Sequence, residues 1–217
     1  MKKTLIALMA LAGVAMADDY TGTFDGKSFV TSGNLTLSEI TCTPDSYKTP
    51  SYLGEDVPAG TTYIAPDINM KDGSWTLSAK ITNNSEEAIT LNSVTFDAFM
   101  FTGAGVQHEN DGKSRQVSFT LGGDLAGAVT KDFTGNVDNT NFRDTDADAI
   151  ITLNKPVTIN ADGFITFTLT VANGGTNGGS FVGLKGATFS TPTVPEPTTA
   201  TLSLLALAGL AARRRRR

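Results

Sequence analysis

Trp75, Leu77, Ala79 and Ile81 alternate with Thr76, Ser78, Lys80 and Thr82. That period of two buries one face of a β-strand and leaves the other in water. Ile165, Phe167, Leu169 and Val171 repeat the pattern against Thr166, Thr168 and Thr170, and Val117, Phe119 and Leu121 make a shorter instance. Further strands are predicted at 28–31, 35–41, 61–65, 88–91, 93–101, 149–153 and 181–189. Between them stand turn formers: Asp25-Gly26, Asn83-Asn84-Ser85, Asp111-Gly112, Asn160-Ala161-Asp162-Gly163 and Asn173-Gly174-Gly175. No stretch of the body carries the 3.6-residue period of an amphipathic helix.

Roughly ten short strands without helical crossovers cannot form a parallel sheet, so two antiparallel sheets packed face to face are expected. The predicted fold is an all-β, antiparallel β-sandwich, jelly-roll-like, with an immunoglobulin-like sandwich as the alternative. It should occupy residues 18–190. Trp75 is in phase with Leu77 and Ile81 and belongs to the core. Phe99 and Phe101 share a face opposite Val94, Phe96 and Met100, so that strand is apolar on both sides and should be central and covered. A faint echo aligns Asp72 to Asn83 with Asp162 to Asn173, as convergent hairpins would.

The two ends read differently. Lys2 and Lys3 precede an apolar run from Leu5 to Val14, and Ala15-Met16-Ala17 supplies the small-x-small pattern of signal-peptidase cleavage, with Ala15 and Ala17 as its recognised positions. Residues 1–17 are therefore expected to be a signal peptide. At the other end, Ser/Thr/Pro composition over 191–199 predicts a semi-extended stalk. An apolar segment rich in Leu and Ala follows, and residues 200–217 close on Arg213, Arg214, Arg215, Arg216 and Arg217. As a helix, Thr198 to Ala212 would rise only about 22 Å against a hydrocarbon core of about 30 Å. Such a short apolar helix is a weak anchor, which the arginines would stop with their end in the cytoplasm.

Val194-Pro195-Glu196-Pro197-Thr198, the apolar run with Gly209, and the terminal arginines together resemble the PEP-CTERM sorting signal. Gram-negative bacteria that carry the membrane enzyme exosortase place it on exported proteins. The resemblance is confined to Val194–Arg217. It implies that Pro195, Glu196 and Pro197 are where an exosortase-type enzyme recognises and cuts, and that extracellular polysaccharide is a partner. A sortase substrate would instead need Leu-Pro-x-Thr-Gly, and a glycolipid-anchor signal would end in apolar residues.

Charge narrows the partners. Between Asp18 and Pro195 there are 10 basic and 21 acidic residues, a net charge of −11. With no basic patch to displace counterions from phosphates, nucleic acid is not an expected partner. Cys42 is the only cysteine, so no internal disulfide can form even in an oxidising compartment.

Candidate chemistry is sparse. Asp144, Asp146 and Asp148 have the spacing that opens a calcium loop, but Ala149 stands where that loop needs glycine and Lys155 where it needs a bidentate glutamate. A solvated acidic loop is one reading, an irregular calcium site the weaker one. His108 is the only histidine, and with one cysteine far away in sequence it makes no zinc set. No nucleophile motif accompanies it, and no catalytic residue or cofactor is assigned. Tyr47 and Tyr52 lie in a long Pro/Gly-containing loop, where flat rings with polar tips suit stacking on a sugar. Packing of the loop onto the sheet is the competing reading. The chain is thus expected to be a non-enzymatic exported protein, passing through the inner membrane to the cell surface or extracellular matrix. The alternatives are a carbohydrate-binding module and a secreted glycan-active enzyme, the latter requiring a pair of carboxylates across a groove.

Overall fold

The computed structural model describes residues 19–25, 28–31, 33–47, 63–71, 73–103, 114–134, 147–175 and 180–192. Residues 18–191 form one compact unit. It contains ten strands: β1 (Asp19–Asp25), β2 (Ser28–Thr31), β3 (Leu35–Thr43), β4 (Ser74–Asn83), β5 (Ile89–Thr102), β6 (Ser114–Gly123), β7 (Gly127–Thr134), β8 (Ala147–Ile159), β9 (Phe164–Asn173) and β10 (Ser180–Ser190). They form two antiparallel five-stranded sheets, ordered β2-β1-β10-β5-β8 and β3-β4-β9-β6-β7.

The pairing is nested. β6 pairs with β7, β5 with β8, β4 with β9 and β1 with β10, as if one long hairpin had been rolled up on itself. This is the jelly-roll arrangement, with β2 and β3 added along one side. The alternating positions meet as expected: Leu77 pairs with Leu169, Ala79 with Phe167 and Ile81 with Ile165. Their inward side chains join Phe96, Phe119, Phe189 and Leu184 in one core.

β5 is longer than the two separate strands its sequence suggests. Its inward residues are Ile89 and Leu91, then Val94, Phe96, Ala98 and Met100, so the phase flips between Leu91 and Ser93, where the ladder to β8 slips. Leu91 pairs with Val157 but Ser93 with Thr152, so β8 advances five residues while β5 advances two, and the alternation of β5 turns over without ending the strand. Of the segment expected as a strand at 61–65, the described residues 63–65 form a single bridge, at Ile64. Ile64 and Leu184 exchange backbone hydrogen bonds at 2.8 Å in both directions, beyond the point where β1 stops pairing with β10. Space for that crossing comes from Gly183, where a Cβ would meet the Phe99 ring and lie 2.9 Å from the Ile64 carbonyl oxygen. Phe99 and Phe101 are buried on the outer face with Phe181, Ala65 and Tyr63, as a satellite cluster.

Two polar side chains in the interior differ in kind. Asn83 is fully buried and fully used. Its Nδ2 donates to the carbonyls of Glu87, Ile159 and Asn160 at 2.7–3.1 Å, and its Oδ1 accepts from the backbone N–H and hydroxyl of Ser85. Trp75 is equally buried, yet its indole Nε1 has no partner among the described residues. Since an unmade bond forfeits the solvation of its donor, Trp75→Phe should cost less than about 1 kcal/mol, the gain from removing the N–H offsetting the lost ring area. Trp75→Ala should cost about 3–5 kcal/mol. Urea midpoints of the two variants check this pair.

Candidate functional site

Apart from the two-residue β1–β2 connection, which lies with the long ones, the connections between strands divide by length. The ends of β2/β3, β4/β5, β6/β7 and β8/β9 are joined by short turns at one end of the sandwich, residues 32–34, 84–88, 124–126 and 160–163. β1 begins and β10 ends at that same end, with Asp19 opposite Ser190. At the other end emerge the four long connections, 44–73, 103–113, 135–146 and 174–179.

The short end is closed by local hydrogen bonds. Asp124 donates its backbone N–H to the Thr166 carbonyl at 2.9 Å, and its Oδ2 accepts from the Thr166 N–H at 2.7 Å. Asn84 donates to the Asn34 carbonyl through both its backbone and its side chain. Such turns have little freedom left for recognition. The long connections have the length that ligand-binding loops need.

Of the ligand and metal candidates singled out in the sequence, Tyr47 and Asp148 are described, and both lie at that second end or its approach. Tyr47 lies just after β3, bridged to Pro66, and Ser46 accepts the backbone N–H of Asp67 at 2.8 Å. Its side chain is 40% exposed, but its hydroxyl is tied down. Partial burial, with hydrogen bonds to buried Cys42 and to Asp45, pushes the phenol well above its ordinary range. The hydroxyl edge of Tyr47 packs, and part of the residue is open to solvent. Tyr52, His108, Asp144 and Asp146 lie outside the described residues, as do the processing positions Ala15, Ala17, Pro195, Glu196 and Pro197 and the arginines 213–217. Asp148 is described. It is exposed at the start of β8, directly opposite Asp97 of β5. Among the described residues no three His, Cys, Asp or Glu side chains are grouped to hold a metal. No described helix is long and apolar enough to cross a membrane, and the apolar segment 198–212 is not among the described residues.

One exposed aromatic escaped the sequence reading. Phe164 opens β9 and is 60% exposed on the outer face of its sheet. The ammonium of Lys80 sits 4.3 Å from its ring centroid and donates to Glu39 Oε1 at 3.2 Å. The signal was present, because Phe164 and Ile165 are adjacent and a strand can bury only one of two neighbours. Glu39 is held in a left-handed conformation (φ 54°), at a register shift that kinks edge strand β3. This group reads as protection of a sheet edge.

No curated protein sequence matches the chain. Among solved structures, the chain is similar to part of the mosquito-larvicidal Cry4Aa toxin of Bacillus thuringiensis, at 14% identity and a TM-score of 0.33. That match covers 55% of this chain and 19% of the toxin. At the C-terminus, residues 193–217 match the model of the PEP-CTERM protein-sorting motif. The chain is an exported protein that carries, behind an all-β sandwich, a PEP-CTERM sorting signal.

Proposed function

We propose that this is a non-catalytic cell-surface or matrix protein of a Gram-negative bacterium. The leader is removed at Ala15-Met16-Ala17 by signal peptidase, and the apolar segment holds the chain in the inner membrane for a time. An exosortase-type enzyme then cuts at Pro195-Glu196-Pro197, freeing the sandwich for the cell surface or the matrix. The observation that carries the reading is the sorting motif over 193–217. Its residue classes support the order of events: five arginines resist translocation, the short apolar run holds weakly, and the prolines keep the cut site out of a helix interior.

The sandwich supports a role in contact. Both ends of its sheet-forming chain, Asp19 and Ser190, lie at the short-turn end, whereas β3, β5, β7 and β9 end at the opposite one. We assign recognition to that end, with extracellular polysaccharide as the partner and the Tyr47 ring as one contact. Tyr47→Ala combined with Tyr52→Ala should lower retention on polysaccharide from the producing cells at least several-fold. Glu86→Ala combined with Glu87→Ala, at the opposite end, should leave retention unchanged. Equal retention of all three proteins would place recognition elsewhere.

A further inference from the structure

We infer that Lys131 guards the free edge of β7 against a second copy of this chain, so that the sandwich stays a monomer where an open edge of this length would pair. The inference stands on the sandwich alone, whatever becomes of the tail. Two five-stranded sheets that do not close leave four edge strands, β2, β8, β3 and β7. Such a strand presents a row of backbone N–H and C=O groups to which another chain can add. Three of the four carry an obstacle in the backbone. β2 is only four residues long. β3 is kinked at Glu39, where its register to β4 shifts. β8 falls out of step with β5 between Thr152 and Val157, and within that stretch carries the exposed pair Lys155-Pro156, whose proline has no N–H to offer.

β7 has no such obstacle. It pairs with β6 without a register shift from Gly127 to Thr134, and it contains no proline. β8 covers its start, where the Ala126 carbonyl accepts the Asn154 N–H at 2.8 Å and a Cβ on Gly127 would lie 2.6 Å from the Thr152 carbonyl oxygen. Beyond that point the guard is a side chain. The inward positions are Val129, Lys131 and Phe133: Phe133 is buried, Val129 packs against the core, and half-buried Lys131 stands opposite fully buried Val117. A lysine so placed lays its stem along the core and keeps its ammonium in water. With the core behind it, its way to water runs past the free edge of β7. A second β7 docking there, antiparallel about a two-fold axis, would continue the sheet and close that exit in both copies. Two ammonium groups of like sign would lose their water together, which disfavours the pairing.

The test uses the full chain in detergent micelles, which take up the apolar tail, with sedimentation equilibrium reading the number of protein copies per particle. Wild type and Lys131→Arg should stay single. Lys131→Val and Lys131→Gln should associate, at concentrations about ten-fold or more below any at which the wild type does. Their melting temperatures should be no lower than that of the wild type, since the charge removed makes no contact that holds the fold. Thr130→Val, an apolar gain on the outer face one residue away, should stay single. Single copies of both uncharged variants would overturn the inference. So would association of Lys131→Arg or Thr130→Val to the same extent, which would make the free edge indifferent to this charge. Association accompanied by a lower melting temperature in both uncharged variants would mark exposure of the core instead, and would overturn it as well.

Discussion

Asn83→Ala should destabilise the sandwich by about 3–5 kcal/mol, the largest loss expected from any one polar side chain in it. Asn83 ends β4 and ties the adjoining β4–β5 turn, through Glu87 and Ser85, to the end of β8 in the other sheet, through the consecutive carbonyls of Ile159 and Asn160. Alanine removes those donors and the acceptor of Ser85 together; Asn83 itself is fully buried, and its bond to the Ile159 carbonyl is buried while the others are partly so. Each neutral hydrogen bond is worth about 1 kcal/mol, and each buried group left without a partner costs about 1–3 more. For a domain of this length that is a fall in melting temperature of roughly 10–15 °C. The neighbouring Asn84 supplies the control. Its side chain donates to the Asn34 carbonyl and the Thr36 hydroxyl at the surface, so Asn84→Ala should cost less than about 1 kcal/mol. Melting of both variants by circular dichroism separates the two cases. Equal effects would mean that Asn83 is a turn residue and not a tie between sheets.

That Asn83 matters this much is not legible from Asn83-Asn84-Ser85, which reads only as a turn. What was legible is the sandwich, because Trp75 to Ile81 and Ile165 to Val171 alternate cleanly and the two strands lie side by side in one sheet. Where alternation fails, the physical cause is local. β1 escapes because Gly22 takes an inward position between Tyr20 and Phe24. β7 escapes because Lys131 stands between Val129 and Phe133 on the same side. β5 reads as two strands because the phase inverts at Asn92. The end from which the long connections leave is a property of topology and of nothing local. No residue pattern says that 44–73, 103–113, 135–146 and 174–179 leave from one end while both chain ends leave from the other. The sorting signal is the reverse case, a short linear message that a peptidase and a membrane read without the fold, and it is legible in full from residues 193–217.

Pro195→Ala combined with Pro197→Ala should leave export intact and abolish processing, so that the tail-bearing form accumulates in the membrane fraction of a host with exosortase. With both prolines gone, the segment ahead of the apolar run gains two helix-permissive residues. Proline in a helix interior costs about 3 kcal/mol, and the substitution removes that barrier at both positions. The extended strip a peptidase needs is then in competition with helix. Removing Arg213 to Arg217 should act differently, letting the weakly apolar tail follow the chain across the membrane, with full-length protein appearing outside the cell. The two variants therefore strand the same uncut chain on opposite sides of one step, and fractionation followed by immunoblotting distinguishes them. A Pro195/Pro197 variant processed like the wild type would remove Pro-Glu-Pro from the recognition step.

Mass spectrometry of the mature C-terminus tests the central claim most directly. Wild-type protein recovered from outside cells that carry exosortase should begin near Asp18 and end at or beside Pro195-Glu196-Pro197, with the apolar segment and all five arginines gone. Protein recovered there that still ends in Arg217 would contradict the sorting account, and the terminal segment would then be a plain tail anchor.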